Sequence, residues 1–126
     1  MALGIDTITF DCADPVKVAT FWAAALGFEV VEPDPEGTFV DDPSGVSKGF
    51  FFQRVPEPKT AKNRMHLDVR PTASMAEEVE RMKGLGATVR GFIEVEGSFW
   101  TQMRDPEGNE FCVLRGPEDG WSPDEL

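Results

Sequence analysis

Histidine occurs once in this chain, at position 66, and cysteine only twice, at positions 12 and 112. With one imidazole the chain offers no His–His metal pair and, in its motifs, no Ser-His-Asp constellation. Two cysteines 100 positions apart, with no CxxC spacing, read in a reducing compartment as two buried thiols rather than a bridge. Cations are also scarce: Lys and Arg total 12 against 23 Asp and Glu, a net charge of −11. That charge repels a phosphate backbone over most of the surface, so nucleic acid is excluded as a partner. No apolar run approaches the roughly 20 residues that a membrane-spanning helix requires, so no membrane is expected either. Met1-Ala2-Leu3-Gly4 leads into a strand pattern without a basic n-region, and the expected location is cytoplasmic.

The length of 126 residues suits one domain with one core. Ile8 and Phe10 alternate with Thr7, Thr9 and Asp11, which predicts a strand over 5–12. Asp14 then offers an N-cap and Pro15 a first helical residue, and Val18, Phe21, Trp22 and Ala25 form an apolar stripe ending at Gly27, so a helix is expected over 15–26. Strands are expected at 28–31, 38–41 and 50–55, the last two joined through the turn-rich Asp42-Pro43-Ser44-Gly45. From Arg64 the programme restarts. A strand is expected over 64–70 and a helix over 74–85, where Ser74 and Glu77 stand at capping-box spacing. Strands follow at 88–93, 98–104 and 109–115. The tail, 117–126, is acidic and turn-rich, with Trp121 positioned to dock on the body.

A shift of 59 lays Leu85-Gly86 on Leu26-Gly27, Val89 on Val30, Leu67 on Ile8 and Val69 on Phe10. It also lays His66 on Thr7 (66 − 7) and Cys112 on Gln53 (112 − 53). The chain therefore reads as two βαβββ half-repeats, about 4–56 and 63–115, within one domain over 1–116. Neither half closes a core from about 55 residues, so the expected fold is α+β: the half-repeats form a curved mixed sheet around a concave cavity, with helices on the convex side.

With the repeat, the segment D-P-x-x-x-x-F-W-x-x-x-L-G-F-E at 14–29 and the D-P-E-G-N turn at 105–109 resemble the vicinal oxygen chelate superfamily, which holds glyoxalases, bleomycin-resistance proteins and dioxygenases. The likeness is to its small single-domain glyoxalase-like members. It implies paired modules around a cavity, a homodimer, and in many relatives a divalent metal held by the first and last strands of each half. Those positions correspond here to Thr7, Gln53, His66 and Cys112. His66 matches the pattern and Gln53 offers a neutral oxygen, whereas Thr7 and Cys112 replace the charged or imidazole ligands of the relatives. A hard cation prefers carboxylate and imidazole, so the metal-free state is expected, with manganese, nickel or zinc giving little stabilisation.

The last hairpin refines the site. If Pro106-Glu107-Gly108 form its tip, Asp105 pairs with Asn109, Arg104 with Glu110 and Gln102 with Cys112, and Trp100 shares their face. An indole, an amide and a guanidinium beside His66 and Gln53 suit an aromatic or anionic small molecule. The alternative is that Trp100 fills core and Arg104 pairs with Glu110 at the rim. Phe50-Phe51-Phe52 read as packing, and Lys59, Lys62 and Arg64 as a solvated loop.

Three functions follow. One is a small-molecule-binding protein of the bleomycin-resistance kind, its ligand held by Thr7, Gln53, His66, Trp100, Gln102, Arg104, Glu110 and Cys112. The second is a metal-dependent lyase, isomerase or dioxygenase in which His66 and Gln53 hold the metal and Glu110 moves a proton. The third is a non-catalytic interaction module with a vestigial cavity.

Overall fold

The computed structural model describes residues 2–46 and 49–124, so Met1 and the tail residues Glu125 and Leu126 lie outside the described residues. The fold is α+β, and it divides into two compact units at Thr60 and Ala61. In the first, β1 (Ile8–Cys12) leads into α1 (Pro15–Leu26), followed by β2 (Glu29–Val31), β3 (Gly37–Asp41) and β4 (Phe50–Arg54). In the second, β5 (Leu67–Val69) and α2 (Met75–Leu85) precede β6 (Thr88–Val95), β7 (Ser98–Arg104) and β8 (Glu110–Leu114). The strand orders, β1-β4-β3-β2 and β5-β8-β7-β6, are the same in both. The first and last strands of each unit run parallel and the other neighbours antiparallel. The expected βαβββ repeat is thus present.

The helices start and stop where the local chemistry directs. The Asp14 carboxylate accepts from the Lys17 amide, and the chain leaves α1 through Gly27 at φ 71°, a left-handed conformation that glycine adopts without a Cβ penalty. Ser74 caps α2 by accepting from the Glu77 amide. Each helix buries its apolar face on one side of its own sheet. In the first unit Val18, Phe21 and Trp22 of α1 are buried, as are Thr38, Val40 and Phe52 of the sheet, and Phe10 stacks on Phe52 at 5.2 Å. In the second, Met75 and Met82 of α2 are buried together with Thr101, Met103, Phe111 and Val113. Because strand side chains alternate, filling one face this way turns residues 66, 68 and 70, 98, 100 and 102, and 112 and 114 to the opposite face.

The larger differences in strand boundaries follow the pairing: β1 and β5 are shorter than expected for lack of a partner, and β6 is longer because it has one. β1 begins at Ile8 rather than Ile5 because its register starts opposite Phe50, just after Gly49 turns at φ 82°; Ile5 is left exposed. β5 is confined to the three residues opposite Phe111–Val113. β6 extends to Val95 because Glu96-Gly97, both at positive φ, form a two-residue hairpin turn of the kind whose twist matches its strands.

Register also corrects the repeat. Phe10 stands beside Phe52 and Val69 beside Val113. Laying Val69 on Phe10 at 59 therefore lays Val113 on Phe52 at 61 (113 − 52), and the counterpart of Cys112 is Phe51, not Gln53. The offset widens between the second and last strands, where loop lengths differ, and a shift fixed on the helices does not carry through.

Candidate functional site

The expected last hairpin is observed residue for residue. The Asp105 amide donates to Asn109 O, the Gly108 amide returns to Asp105 O, and Arg104, Gln102 and Trp100 stand opposite Glu110, Cys112 and Leu114. The Asp105 carboxylate accepts from the amides of Glu107 and Asn109 and from the Asn109 side chain, which accounts for an acid buried to 4% exposure. This turn fixes which β7 and β8 side chains face away from α2.

Those side chains, with alternate residues of β5, line a hollow of about 520 Å³ within the second unit. That volume lies in the range of small-molecule sites. His66, Asp68, Gln102 and Cys112 form one group of its walls, and Trp100 and Leu114 stand side by side across the β7–β8 pair. The remaining walls are Arg70, Arg115, Ser98, Phe99 and Trp121. Trp121 does dock on the body: the Arg70 guanidinium lies 4.1 Å from its ring centre and donates to Arg115 O at 2.8 Å.

His66 Nε2 approaches Asp68 Oδ1 at 3.2 Å, and the donor atoms of His66, Asp68 and Cys112 all lie within 4.8 Å of one another. Burial pushes the Cys112 thiol upward, and the Asp68 carboxylate adds to this by its charge and by accepting a hydrogen bond from the thiol. A proton on sulfur is thereby favoured, which opposes a thiolate nucleophile.

Of the expected site residues, the structure brings His66, Trp100, Gln102 and Cys112 to this hollow. Arg104 and Glu110 are not among its walls. The Glu110 carboxylate accepts from the Asn63 amide at 2.9 Å and faces Arg104 at 4.0 Å, the rim pairing considered as the alternative. Thr7 and Gln53 belong to the first unit, where Thr7 donates to Asp6 at 2.7 Å and the Gln53 carbonyl accepts from the Cys12 thiol. Neither lines the hollow of that unit. Sequence reasoning missed Asp68, Arg70 and Arg115. The signal was available for the first two: His-x-Asp-x-Arg on a strand puts three side chains on one face.

Asp68 changes the fit to a metal. Together with His66 and Cys112 it supplies one oxygen, one nitrogen and one sulfur donor, a set suited to a borderline ion such as zinc and poor for manganese or magnesium.

Two βαβββ units with the same strand order define the class of fold. The chain belongs to the glyoxalase-like domain family, whose model matches residues 7–114. It is similar to solved structures of the same fold. One is the fosfomycin resistance protein FosX from Listeria monocytogenes with Mn(II) and sulfate (18% identity, TM-score 0.71, covering 92% of each chain). Another is a glyoxalase/bleomycin resistance protein/dioxygenase family enzyme from Burkholderia phytofirmans (19% identity, TM-score 0.66, covering 86% of this chain and 94% of that one). A third is a glyoxalase-related enzyme from Fulvimarina pelagi (19%, 0.62, 92% and 90%). No curated protein matches the chain. Among the described residues, no helix is long and apolar enough to cross a membrane.

Proposed function

We propose that this glyoxalase-like chain binds a small organic molecule on the open face of its second sheet. The observation that carries the reading is the 520 Å³ hollow, in which an indole at Trp100 adjoins Gln102, His66 and Cys112. Stacking on the ring supplies apolar contact, and the amide and imidazole orient the ligand by hydrogen bonds. A thermal-shift screen of small aromatic and polar compounds tests it. A ligand that raises the melting temperature of the wild type and not that of Trp100→Ala supports the reading. A screen in which every shift survives Trp100→Ala refutes this site, and one in which no compound gives a shift refutes the reading.

A second reading, a metal-dependent enzyme, is favoured by the His66, Asp68 and Cys112 cluster. These three residues would hold the ion, which when bound would polarise substrate oxygens. Asp68 takes the place given to Gln53 in the sequence-derived ligand set. Glu110, proposed there to move a proton, is engaged by Asn63 and Arg104 and is the weaker candidate for that role. Metal analysis of protein purified without chelator separates the two readings.

Homodimerisation is part of the same proposal. It is supported by β6, an eight-residue strand at the edge of its sheet with Val89, Phe92 and Val95 exposed. Light scattering that gives a monomer at micromolar concentration removes it.

A further inference from the structure

The hollow of the second unit has two chemically different ends. Asp68 in β5 and Arg70, the first residue past its end, both line the hollow. At the Asp68 end stand a carboxylate, an imidazole, an amide and a thiol. At the Arg70 end stand two guanidiniums, Arg70 and Arg115, with the rings of Phe99 and Trp121. Leu114 and Trp100 stand side by side across β8 and β7, two residues along from the Asp68–Cys112–Gln102 row, and so belong to the Arg70 end.

The cationic end is built by the C-terminal segment. The Asp119 carboxylate accepts from the Met75 amide at 2.7 Å and the Gly116 amide at 2.9 Å, tying the Pro117–Asp119 turn to the start of α2. The Glu118 amide donates to Ala73 O. Gly116 lies so close to that carbonyl that an added Cβ would come within 2.1 Å of it. Trp121 follows directly, and its ring braces Arg70. Among the described residues Arg70 is held by one hydrogen bond and one ring, which leaves other N–H groups of its fork to a ligand. On a chain of net charge −11, two arginines against one aspartate in the hollow form a local cationic spot.

We infer that the ligand class is a planar aryl carboxylate bearing a hydrogen-bond donor on the far side of its ring. This rests on the small-molecule reading above. The carboxylate takes the Arg70 fork, the ring covers Trp100 and Leu114, and the hydroxyl or amino group donates to Asp68. The guanidinium plane suits bidentate carboxylate recognition.

Calorimetric titration of the whole chain with para-hydroxybenzoate, and with the uncharged para-hydroxybenzamide, tests the inference. The acid is expected to bind at least about tenfold more tightly than the amide, since a charge-assisted bond is lost in the amide. Added salt should weaken the acid and spare the amide. Arg70→Gln should bring the acid to the amide's level and leave the amide where it was. The salt comparison uses unaltered protein and so holds even if Arg70→Gln loosens the tail. Equal binding of acid and amide, or an acid affinity indifferent to salt and to Arg70→Gln, overturns the inference and leaves the small-molecule reading standing. Binding of neither compound overturns the inference, and the broader screen then decides the reading itself.

Discussion

The two units build the same scaffold and finish it differently. Each has a helix on one sheet face and a hollow of about 520 Å³. In the first unit that hollow is walled by Val31, Phe39 and Phe51 with the acids Glu32, Asp34 and Asp41. In the second it holds an imidazole, a thiol, two indoles and two guanidiniums beside one acid. Volume therefore does not single out a site in this molecule. Residue identity does, and it differs most where register sets Phe51 against Cys112. Duplication fixed the frame and left each open face to diverge.

The comparison is broken most severely through the faces the two units share. Phe52, with no exposed surface, should cost about 3–5 kcal/mol when changed to Ala, read as a lower urea midpoint, because the cavity left beneath α1 collapses only in part. The open faces should respond unequally. Trp100→Ala should weaken any ligand found by the thermal-shift screen by about three- to tenfold, the typical worth of an aromatic contact, whereas Phe39→Ala in the other hollow should not change its affinity. Metals sharpen the contrast further. Manganese should leave the melting temperature unchanged, since a thiol is a poor ligand for a hard ion. Stabilisation by zinc that disappears in Cys112→Ser would move the metal-dependent reading ahead.

The smallest effect is pH-linked. Burial and Asp68 raise the Cys112 thiol in the folded state, so its alkylation by iodoacetamide should be slower than that of an unfolded-chain thiol at the same pH. The sign for stability follows: the contribution is complete below the unfolded thiol's range near 8.5 and declines as pH rises through the higher folded value. Asp68→Asn should speed the alkylation.

Local chemistry was legible in the sequence, and long-range register was not. Asp14, Gly27 and Ser74 mark helix ends by rules that need only a few neighbouring residues. Asp105 to Asn109 fixed the whole β7–β8 register, since a three-residue tip permits one pairing. By contrast, Gln53 was matched to Cys112 by counting from the helices, and loops of unequal length intervened. Asp68 lies outside the ligand positions that the family resemblance implies, and only the alternation that places it beside His66 points to it. Arg115 and Trp121 joined the site through a tail whose docking depends on the Asp119 and Gly116 contacts, which no periodicity announces.

The parallel pairing of first and last strands has a consequence for how the chain acquires its shape. Phe50 meets Ile8 across 42 residues and Phe111 meets Leu67 across 44, whereas Gln102 meets Cys112 across 10. Hairpins such as β7–β8 close short loops and form early; the parallel pairs close long ones and form late. During synthesis β1 emerges long before its partner β4, and its neighbouring strand position stays open until some 40 further residues have been made. The aromatic run Phe50-Phe51-Phe52 that finally fills it is the segment most exposed to wrong pairing in that interval, and slowed translation just after β4 should raise the yield of folded chain.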